Sequence, residues 1–241
     1  MMPRAVVTGG THRVGRVIAG ALAARGMHVL VTSRDAVRAR SFGSIACGGG
    51  SITALHADIT TDQGMAAVCE AAGASLRTLV HNASSYESTP LGSIERAVIE
   101  SSLAVHATAP LLLTQALLPA LRRAKEEHGD ASVVAMLDIH ALGRPRAGRA
   151  AYLMGKAALH GLVEALAIDL APTVRVNGVS PGVVEWDEQA DAAERARYEA
   201  RIPLARPGTP QDAAGAVCWL ALEARYVTGT VVKVDGGRVL A

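Results

Sequence analysis

The chain has 241 residues, of which 50% are hydrophobic and 19% charged, with 24 Lys and Arg against 22 Asp and Glu. This hydrophobic fraction excludes a disordered chain, and a formal net charge of +2 does not favour a surface for nucleic acid or anionic membranes. The length suits one α/β domain over residues 1–241. The cysteines, Cys47, Cys69 and Cys218, are odd in number and scattered, which favours a cytoplasmic protein without disulfides.

Short apolar runs alternate with helical patterns along the chain. The first run begins at Ala5, so we expect no signal peptide before it. The runs are rich in Val, Leu and Ile on both faces, which is typical of parallel strands covered by helices on both sides. The predicted strands are Ala5–Thr8, His28–Ser33, Ile52–Ala57, Thr78–His81, Ser132–Leu137, Arg175–Val179 and Val231–Val234.

Helical periodicity fills most of the intervals between these runs. Repeated strand–helix–strand order predicts a doubly wound Rossmann fold with a seven-stranded, mostly parallel sheet and helices on both faces. The run Gly48-Gly49-Gly50 is expected to be a flexible surface connection. The predicted helices are Gly15–Arg25, Asp62–Ala72, Ile94–Arg123, Ala150–Leu170 and Pro210–Glu223.

Two stretches need a separate interpretation. Ser101–Leu121 contains no charged residue, but its His106, hydroxyls and two prolines favour a buried core or interface helix over a membrane span. The second stretch, residues 183–207, follows a strand and holds a charged helical segment around Asp187–Arg201. Its position predicts a substrate lid, with a solvated amphipathic helix as the alternative.

A glycine-containing turn joins the first strand to the first helix, from Thr8 to Gly15. Glycine lets the backbone approach a pyrophosphate, and the N-terminus of a helix offers N–H groups and a positive dipole. The segment therefore indicates a dinucleotide site, although a glycine pair after a strand is often only a tight turn.

The end of the second strand bears on the choice of cofactor. An acidic residue here would bind a ribose 2′-hydroxyl, whereas an arginine accommodates a 2′-phosphate. Ser33 and Arg34 stand at this point, and Arg13 could add a second cation, so we predict NADPH. Asp35 follows immediately and leaves NAD open, and the arginines could also be ordinary surface residues.

Tyr152 and Lys156 stand four residues apart in a predicted helix and therefore share one face. A nearby ammonium stabilises phenolate and lowers the pKa of a tyrosine, which would make Tyr152 a usable proton donor near neutrality. Such a pair is common by chance, so it is weak evidence alone.

Together with other residues, this pair carries a family resemblance over essentially the whole chain. The matching residues are Thr8-Gly9 with Gly15, His81-Asn82-Ala83, Tyr152 with Lys156, Asn177, Pro181-Gly182 and Val234-Asp235-Gly236-Gly237. In this order they resemble the short-chain dehydrogenase/reductase family. The resemblance implies that Tyr152 is the general acid, that Lys156 binds the nicotinamide ribose and that Asp58 holds the adenine. The cofactor contacts that we predict are Thr8, Gly9, Thr11, His12, Arg13, Val14, Ser33, Arg34, Asp58, Ile59, Asn82, Ala83, Ser84, Tyr152, Lys156, Pro181, Gly182 and Val184.

Three departures from the common family pattern resemble the pteridine reductases and the related dihydromonapterin/dihydrofolate reductases. Asp138 stands where the family usually has a catalytic Ser, Arg13 replaces a loop glycine, and Tyr86 follows the Asn82 motif. In that subgroup the loop arginine reaches the cofactor or the pterin, and the aromatic ring stacks on the pterin. His106 falls where the wider family often has a proton-relay Asn.

The resulting hypothesis is an NADPH-dependent reductase that converts a dihydropterin, with dihydrofolate as a further substrate, to the tetrahydro form. Tyr152, Asp138 and Lys156 are its predicted catalytic residues, and Tyr152 and Asp138 would supply the proton. The alternatives are a carbonyl reductase of ketones or 3-oxoacyl groups, and a non-catalytic NADP-binding sensor module. The resemblance also implies a homotetramer with Ile94–Arg123 and Ala150–Leu170 at its interfaces. The eight histidines lack metal-ligand spacing, so we predict no metal. The predicted substrate contacts are Arg13, Ser84, Tyr86, Asp138, Tyr152 and Trp186.

Overall fold

Eight strands form one sheet in the part of the chain that the computed structural model describes, residues 2–186 and 191–241. The strands are β1 (Arg4–Val7), β2 (His28–Ser33), β3 (Ser44–Cys47), β4 (Gly50–His56), β5 (Thr78–His81), β6 (Ser132–Met136), β7 (Arg175–Pro181) and β8 (Val231–Val234). Their order in the sheet is β3-β4-β2-β1-β5-β6-β7-β8. Every pair is parallel except β3–β4, which confirms the doubly wound Rossmann fold.

The sheet has eight strands and not the predicted seven, because β3 pairs antiparallel with β4 at the edge. Its four residues are mostly exposed, so they lack the buried apolar run that identifies the other strands. Gly48 and Gly49 both have positive φ, 56° and 92°, and turn the chain tightly from β3 into β4. The glycine run is therefore a hairpin turn, not a flexible connection.

Helices cover both faces of the sheet. In the described residues they are α1 (Arg13–Ala23), α2 (Ala36–Phe42), α3 (Asp62–Ala72), α4 (Arg96–Leu103), α5 (Ala109–His128), α6 (Ile139–Leu142), α7 (Ala150–Asp169), α8 (Ala192–Glu199) and α9 (Pro210–Cys218). The single helix predicted over Ile94–Arg123 is divided, since a π-helical turn at Ala104–Thr108 joins α4 to α5. A second π-helical turn, Trp219–Glu223, follows α9.

The predicted lid, residues 183–207, contains α8, which agrees with the helical segment expected there. Residues 187–190 of that segment lie outside the described residues. The lid therefore remains a prediction.

The hydrophobic core lies in two layers, one on each face of the sheet. Val6 packs in the layer under α3, α5 and α7, whereas Val7 packs in the layer under α1 and α9. Successive side chains of a strand point to opposite faces, which explains why the central strands are apolar throughout.

The helical run Arg96–His128 and helix α7 are long and apolar enough to span a membrane by length and composition alone. Both instead line the first core layer. Leu113, Leu117 and Leu121 of α5 and Leu159 and Val163 of α7 are buried there. This packing supports the core-helix interpretation of Ser101–Leu121.

Two buried histidines make the fold sensitive to acid. Burial lowers the pKa of His81 and that of His106 to about 3, whereas an unfolded histidine titrates at about 6.5. The folded state therefore binds fewer protons than the unfolded state. The stability that the two neutral histidines contribute is present above pH ~6.5 and is lost as the pH falls toward 3. We expect the free energy of unfolding, measured in urea, to fall by about 4 kcal/mol from pH 7 to pH 5. His81→Gln should remove about half of that fall; an unchanged pH dependence in this variant would contradict the assignment.

Candidate active site

The turn between β1 and α1 packs against the residues that follow β5. Gly9 has φ +65°, and a Cβ there would lie 2.9 Å from Cα of Ala83. At Gly15 a Cβ would lie 2.4 Å from Nδ2 of Asn82. Both positions therefore require glycine, which explains their place in the family pattern.

Thr8 and Asn82 hold this turn in place. Oγ1 of Thr8 accepts hydrogen bonds from the backbone N–H groups of Asn82 and Ala83, both at 3.0 Å. The Asn82 side chain donates from Nδ2 to the carbonyls of Thr8 and Gly9 at 3.0 and 3.1 Å. The two side chains predicted to contact the cofactor thus shape the loop that would receive it.

The N-terminus of α1 has the features of an anion site. No acidic residue occupies its first turn, and the side chain of His12, at the N-cap, makes no capping hydrogen bond. Oγ1 of Thr11 is buried and has no hydrogen-bond partner among the described residues. These unpaired donors fit a dinucleotide pyrophosphate, and Val14 lies in the same first turn.

Just after β2, Arg34 is exposed, whereas the carboxylate of Asp35 already accepts a hydrogen bond. Oδ1 of Asp35 accepts the backbone N–H of Arg38 at 3.0 Å and so caps α2. Oγ of Ser33 accepts the backbone N–H of Asp35 at 3.2 Å. Because its carboxylate already binds the helix, Asp35 is a poor candidate for a ribose 2′-hydroxyl.

Asp58 lies beside Arg34, just after β4 and before the buried Ile59. Burial raises the pKa of the Asp58 carboxyl, but hydrogen bonds from Thr60 and the charge of Arg34 outweigh that effect and hold the pKa below its usual value. Oδ1 of Asp58 accepts the hydroxyl and the backbone N–H of Thr60 at 2.7 and 2.9 Å. Asp58, predicted to bind the adenine, and Arg34, predicted to bind the 2′-phosphate, are thus neighbours.

Arg13 reaches across the cleft to the segment that follows β7. Its Nη2 donates to the carbonyl of Glu185 at 3.3 Å, and its Nε lies 3.5 Å from Oε2 of the same residue. Arg13 has φ +49°, a conformation that favours the glycine of the common family pattern. The Pro181-Gly182 turn and the buried Val184 lead into this bridge.

Asp138 and Tyr152 meet at the carboxyl end of β6. Oη of Tyr152 donates a hydrogen bond to Oδ2 of Asp138 at 2.9 Å. Oδ1 of Asp138 accepts the backbone N–H of His140 at 2.8 Å, so the same carboxylate also caps α6. The two residues predicted to supply the proton are therefore in direct contact, and each carboxylate oxygen has a donor.

The environment of Lys156 changes one expectation. Its Nζ is buried, donates to the carbonyl of Met136 at 2.7 Å and lies 5.9 Å from the centre of the Tyr152 ring. Burial lowers the pKa of Lys156 to about 8, although Asp138 opposes the shift. The pKa of Tyr152 is raised above its usual value, first by burial and then by Asp138. The prediction of a lowered tyrosine pKa is therefore wrong for this structure, because the phenol is buried and lies next to a carboxylate.

His106 occupies the predicted relay position and is held on both sides. Oγ of Ser84 lies 2.8 Å from its Nε2, and Oγ of Ser102 lies 3.3 Å from its Nδ1. Ser102 already donates to the carbonyl of Ala151 at 2.8 Å, so its oxygen can only accept a hydrogen bond from the Nδ1–H of His106. His106 is thus neutral with the proton on Nδ1, and Ser84 donates to Nε2.

Two arginines surround Tyr86 at the mouth of the site. The rings of Tyr86 and Tyr152 meet edge to face with centres 4.8 Å apart. The guanidinium of Arg149 lies 3.9 Å from the centre of the Tyr86 ring, and Nη1 of Arg146 donates to its hydroxyl at 3.3 Å. One ring face is thus already covered, and a stacked substrate would use the other.

Trp186 lies on the side of the cleft formed by α8. Its ring packs against Tyr198 with centres 5.5 Å apart, and its Nε1 donates to Oε1 of Glu199 at 3.1 Å. The structure therefore places Trp186 with the helix of the predicted lid. Its predicted substrate contact remains a prediction.

Sequence reasoning missed the residues that support this site from distant segments. Ser102, Arg146 and Arg149 belong to no recognisable pattern, and their partners are far along the chain. One signal was present: Gly155 lies inside the Tyr–Lys motif, and a Cβ there would come within 2.9 Å of Nδ1 of His106. A glycine in a helix at that point indicates a closely packed neighbour.

A protein-family model described as "Enoyl-(Acyl carrier protein) reductase" matches residues 10–238. The chain belongs to the short-chain dehydrogenase/reductase family. It is therefore an oxidoreductase by family, and its relatives use NAD(P)(H).

Similar proteins include members with different substrates. A rhamnolipids biosynthesis 3-oxoacyl-[acyl-carrier-protein] reductase of Pseudomonas aeruginosa is 32% identical, and the match covers 97% of this chain and 94% of the relative. The dihydromonapterin reductase of Klebsiella pneumoniae is 30% identical over 99% of this chain and 98% of the relative. A crystal structure of a candidate short-chain alcohol dehydrogenase from Sinorhizobium meliloti 1021 superposes with TM-score 0.87 at 27% identity, covering 99% and 97% of the two chains.

Proposed function

We propose that this short-chain dehydrogenase/reductase is an NADPH-dependent reductase of dihydropterins. The observation that carries the proposal is the contact between Asp138 and Tyr152, 2.9 Å from Oδ2 to Oη. By the family resemblance, a serine hydroxyl usually stands at this position and polarises a ketone. A carboxylate has no hydrogen to donate to a carbonyl oxygen but is a strong acceptor for N–H groups.

A pterin matches this donor and acceptor pattern. Its ring is flat and carries a guanidine-like edge of N–H donors, which a carboxylate binds well. Tyr152 is protonated at neutral pH and so has a proton to donate to a ring nitrogen, although its raised pKa makes it a weaker acid than a free tyrosine. Tyr86, about half exposed beside Tyr152, offers an aromatic face to the ring.

Lys156 would bind the cofactor and supply a positive charge beside Tyr152. When bound, the nicotinamide cofactor supplies the hydride that reduces the pterin ring. Lys156, with its pKa lowered to about 8 by burial, still carries its charge near neutrality and can bind a ribose hydroxyl. That charge also stabilises Tyr152 once the phenol has given up its proton.

The preference for NADPH is supported by the arrangement at the end of β2, where Asp35 caps α2 and Arg34 is exposed. We expect Arg34→Ala to weaken NADPH binding by about 1.5–3 kcal/mol, the usual size of a charge-assisted hydrogen bond. NADH, which lacks the 2′-phosphate, should bind nearly unchanged. Titration of both cofactors by fluorescence tests this. Arg40→Ala is the matched control, because Arg40 is also an exposed arginine and lies nearby on α2. Equal affinity of the unmodified protein for NADPH and NADH would contradict the assignment.

The role of Tyr86 is tested by two substitutions. Tyr86→Phe keeps the ring face and should leave the pterin KM nearly unchanged. Tyr86→Ala removes the ring and should weaken pterin binding by roughly 1–3 kcal/mol, the usual size of aromatic stacking on a nucleobase. Steady-state KM values for dihydromonapterin measure both effects. An unchanged KM in Tyr86→Ala would show that the ring only packs against Tyr152 and Arg149.

A carbonyl reductase is the second candidate, supported by the similarity to the 3-oxoacyl-[acyl-carrier-protein] reductase of Pseudomonas aeruginosa. A non-catalytic sensor is disfavoured by the complete set of Tyr152, Lys156 and Asp138. Rates of NADPH oxidation with dihydromonapterin, dihydrobiopterin, dihydrofolate and a β-ketoester separate the three. Turnover of pterins supports the proposal, turnover of the ketoester alone supports the carbonyl reductase, and binding of NADPH without turnover supports the sensor.

Cytoplasmic location and assembly into a homotetramer complete the proposal. Exposed apolar side chains support the assembly, because they lie on the two helices expected at its interfaces. They are Leu111 and Leu112 of α5 and Met154 and Ile168 of α7.

A further inference from the structure

A second cleft lies beside the Asp138–Tyr152 pair and plays no part in the reaction described above. It is bounded by the loop between α6 and α7, by α8 and its C-terminal end, and by the segment after β8. Its volume is about 420 Å³, within the usual range for small-molecule sites. Four arginines line it: Arg144, Arg146, Arg201 and Arg238.

The charge of this cleft is unbalanced. Among the described residues that line it, Glu194 is the only acid, and it pairs with Arg146. The remaining three guanidinium groups face a shared space without a lining carboxylate from the described part of the chain. Like charges gathered in this way are unfavourable unless an anion joins them.

Arg238 gives independent evidence for a bound anion, because one of its N–H donors is buried and unpaired among the described residues. Its side chain is 93% buried, since only 7% remains exposed, and its guanidinium lies 4.8 Å from the centre of the Tyr198 ring. Nη1 donates to the main-chain oxygen of Ala241 at 3.2 Å. Nε is buried and has no hydrogen-bond partner in the described residues. A buried guanidinium with an unpaired donor is costly, and a bound carboxylate or phosphate would satisfy it.

Two residues that line the cleft also contact the reacting end of the site. His140 lines it, and the backbone N–H of His140 donates to Asp138 at 2.8 Å. Arg146 lines it as well and donates to the hydroxyl of Tyr86, whose ring packs on Tyr152. A molecule whose ring lies at Tyr152 would therefore have the arginines near one of its ends.

We propose that this cleft is an anion subsite, which binds a carboxylate or phosphate group carried by the substrate. The inference rests on the proposed active site at Asp138 and Tyr152, and it narrows the substrate to a molecule with an acidic side chain. Arg201 and Arg144 hold the anion at the open side, and Arg238 holds it at the buried end.

Three dihydropterins test the subsite with the full-length enzyme and NADPH. Dihydrobiopterin has a neutral side chain, dihydrofolate carries carboxylates, and dihydroneopterin monophosphate carries a phosphate. We expect kcat/KM to be at least about tenfold higher for one or both anionic substrates than for the neutral one. Whichever anionic compound shows this preference identifies the group that the arginines bind.

The variant that isolates the effect is Arg201→Gln, just after α8, with Arg197→Gln, on α8 itself, as its matched control. Both arginines are exposed, so neither change should unfold the protein, but Arg197 does not line the cleft. Arg201→Gln should lower the ratio of anionic to neutral kcat/KM by about tenfold. Arg197→Gln should leave that ratio unchanged. An equal ratio in the unmodified enzyme and both variants overturns the subsite.

A parallel pair of ketones keeps this test separate from the pterin proposal. Acetoacetyl-coenzyme A carries phosphates, and ethyl acetoacetate is neutral. If no pterin is reduced but the ketone pair shows an anionic preference that Arg201→Gln removes, the subsite stands and the pterin function fails. If pterins are reduced without any anionic preference, the function stands and the subsite fails.

Discussion

Replacing Asp138 by Asn should lower kcat for dihydropterin reduction by roughly 10²–10⁴-fold, the usual size of a lost acid–base partner. Both oxygens of the Asp138 carboxylate accept hydrogen bonds, one from Tyr152 and one from His140. An amide of the same shape has only one acceptor oxygen, so when that oxygen accepts from His140 the amide nitrogen faces Tyr152 and can only donate to the phenol. Because Asp138 belongs to the substrate side of the site, the Kd for NADPH should change little. Steady-state kinetics with dihydromonapterin and cofactor titration measure the two effects.

Asp138→Ser serves as the complementary variant, since it restores the residue that the wider family carries. It should lose pterin reduction and gain some activity toward a β-ketoester. Asn and Ser cap helix N-termini about as well as Asp, so the thermal midpoint should change little in either variant and gives a control for folding. If Asp138→Asn reduced dihydromonapterin at the unmodified rate, Asp138 would be only a helix cap, and the carbonyl reductase would be the better interpretation.

Lys156→Met should abolish most activity and yet stabilise the protein without cofactor. Burial lowers the pKa of Lys156 from 10.5 to about 8, which corresponds to about 3 kcal/mol against folding with a charged lysine. Methionine is apolar and of similar length, but it loses the hydrogen bond to Met136, worth about 1 kcal/mol. The expected net gain is about 2 kcal/mol at pH 7, measured by urea unfolding.

The pH dependence of this gain has a definite sign. In the folded state Lys156 releases its proton more readily than in the unfolded state. The destabilisation by Lys156 is therefore full below pH ~8 and is relieved as the pH rises toward ~10.5. The advantage of Lys156→Met should nearly vanish at pH ~10. A variant that is less stable than the unmodified protein at pH 7 would mean that the buried ammonium stabilises the fold.

The sequence predicts the central sheet well because buried parallel strands are apolar on both faces. His28–Ser33, Thr78–His81 and Val231–Val234 have the same limits in the prediction and in the structure. The edge strand Ser44–Cys47 was missed since an exposed strand needs no apolar run. The π-helical turn Ala104–Thr108 was missed as well, because its sequence is as helical as its neighbours.

The candidate site shows the same division between local and distant determinants. The pairing of Asp138 with Tyr152 could be predicted, since each follows from a position relative to a strand or helix. The raised pKa of Tyr152 could not, because it depends on burial and on the distance to a carboxylate. Of the hydrogen bonds of His106, the one with Ser102 is local, one helical turn away, but the one with Ser84 depends on how this helix packs against the segment after β5.

A direct competition between two substrates tests the proposed function most sharply. Dihydromonapterin and a β-ketoester are supplied together with NADPH, and the two products are quantified over time. The ratio of their rates gives the ratio of kcat/KM values free of errors in enzyme concentration. We expect tetrahydromonapterin to form faster at equal substrate concentrations, and Asp138→Ser to shift the ratio toward the hydroxyester. Preferential formation of the hydroxyester by the unmodified enzyme would contradict the pterin reductase.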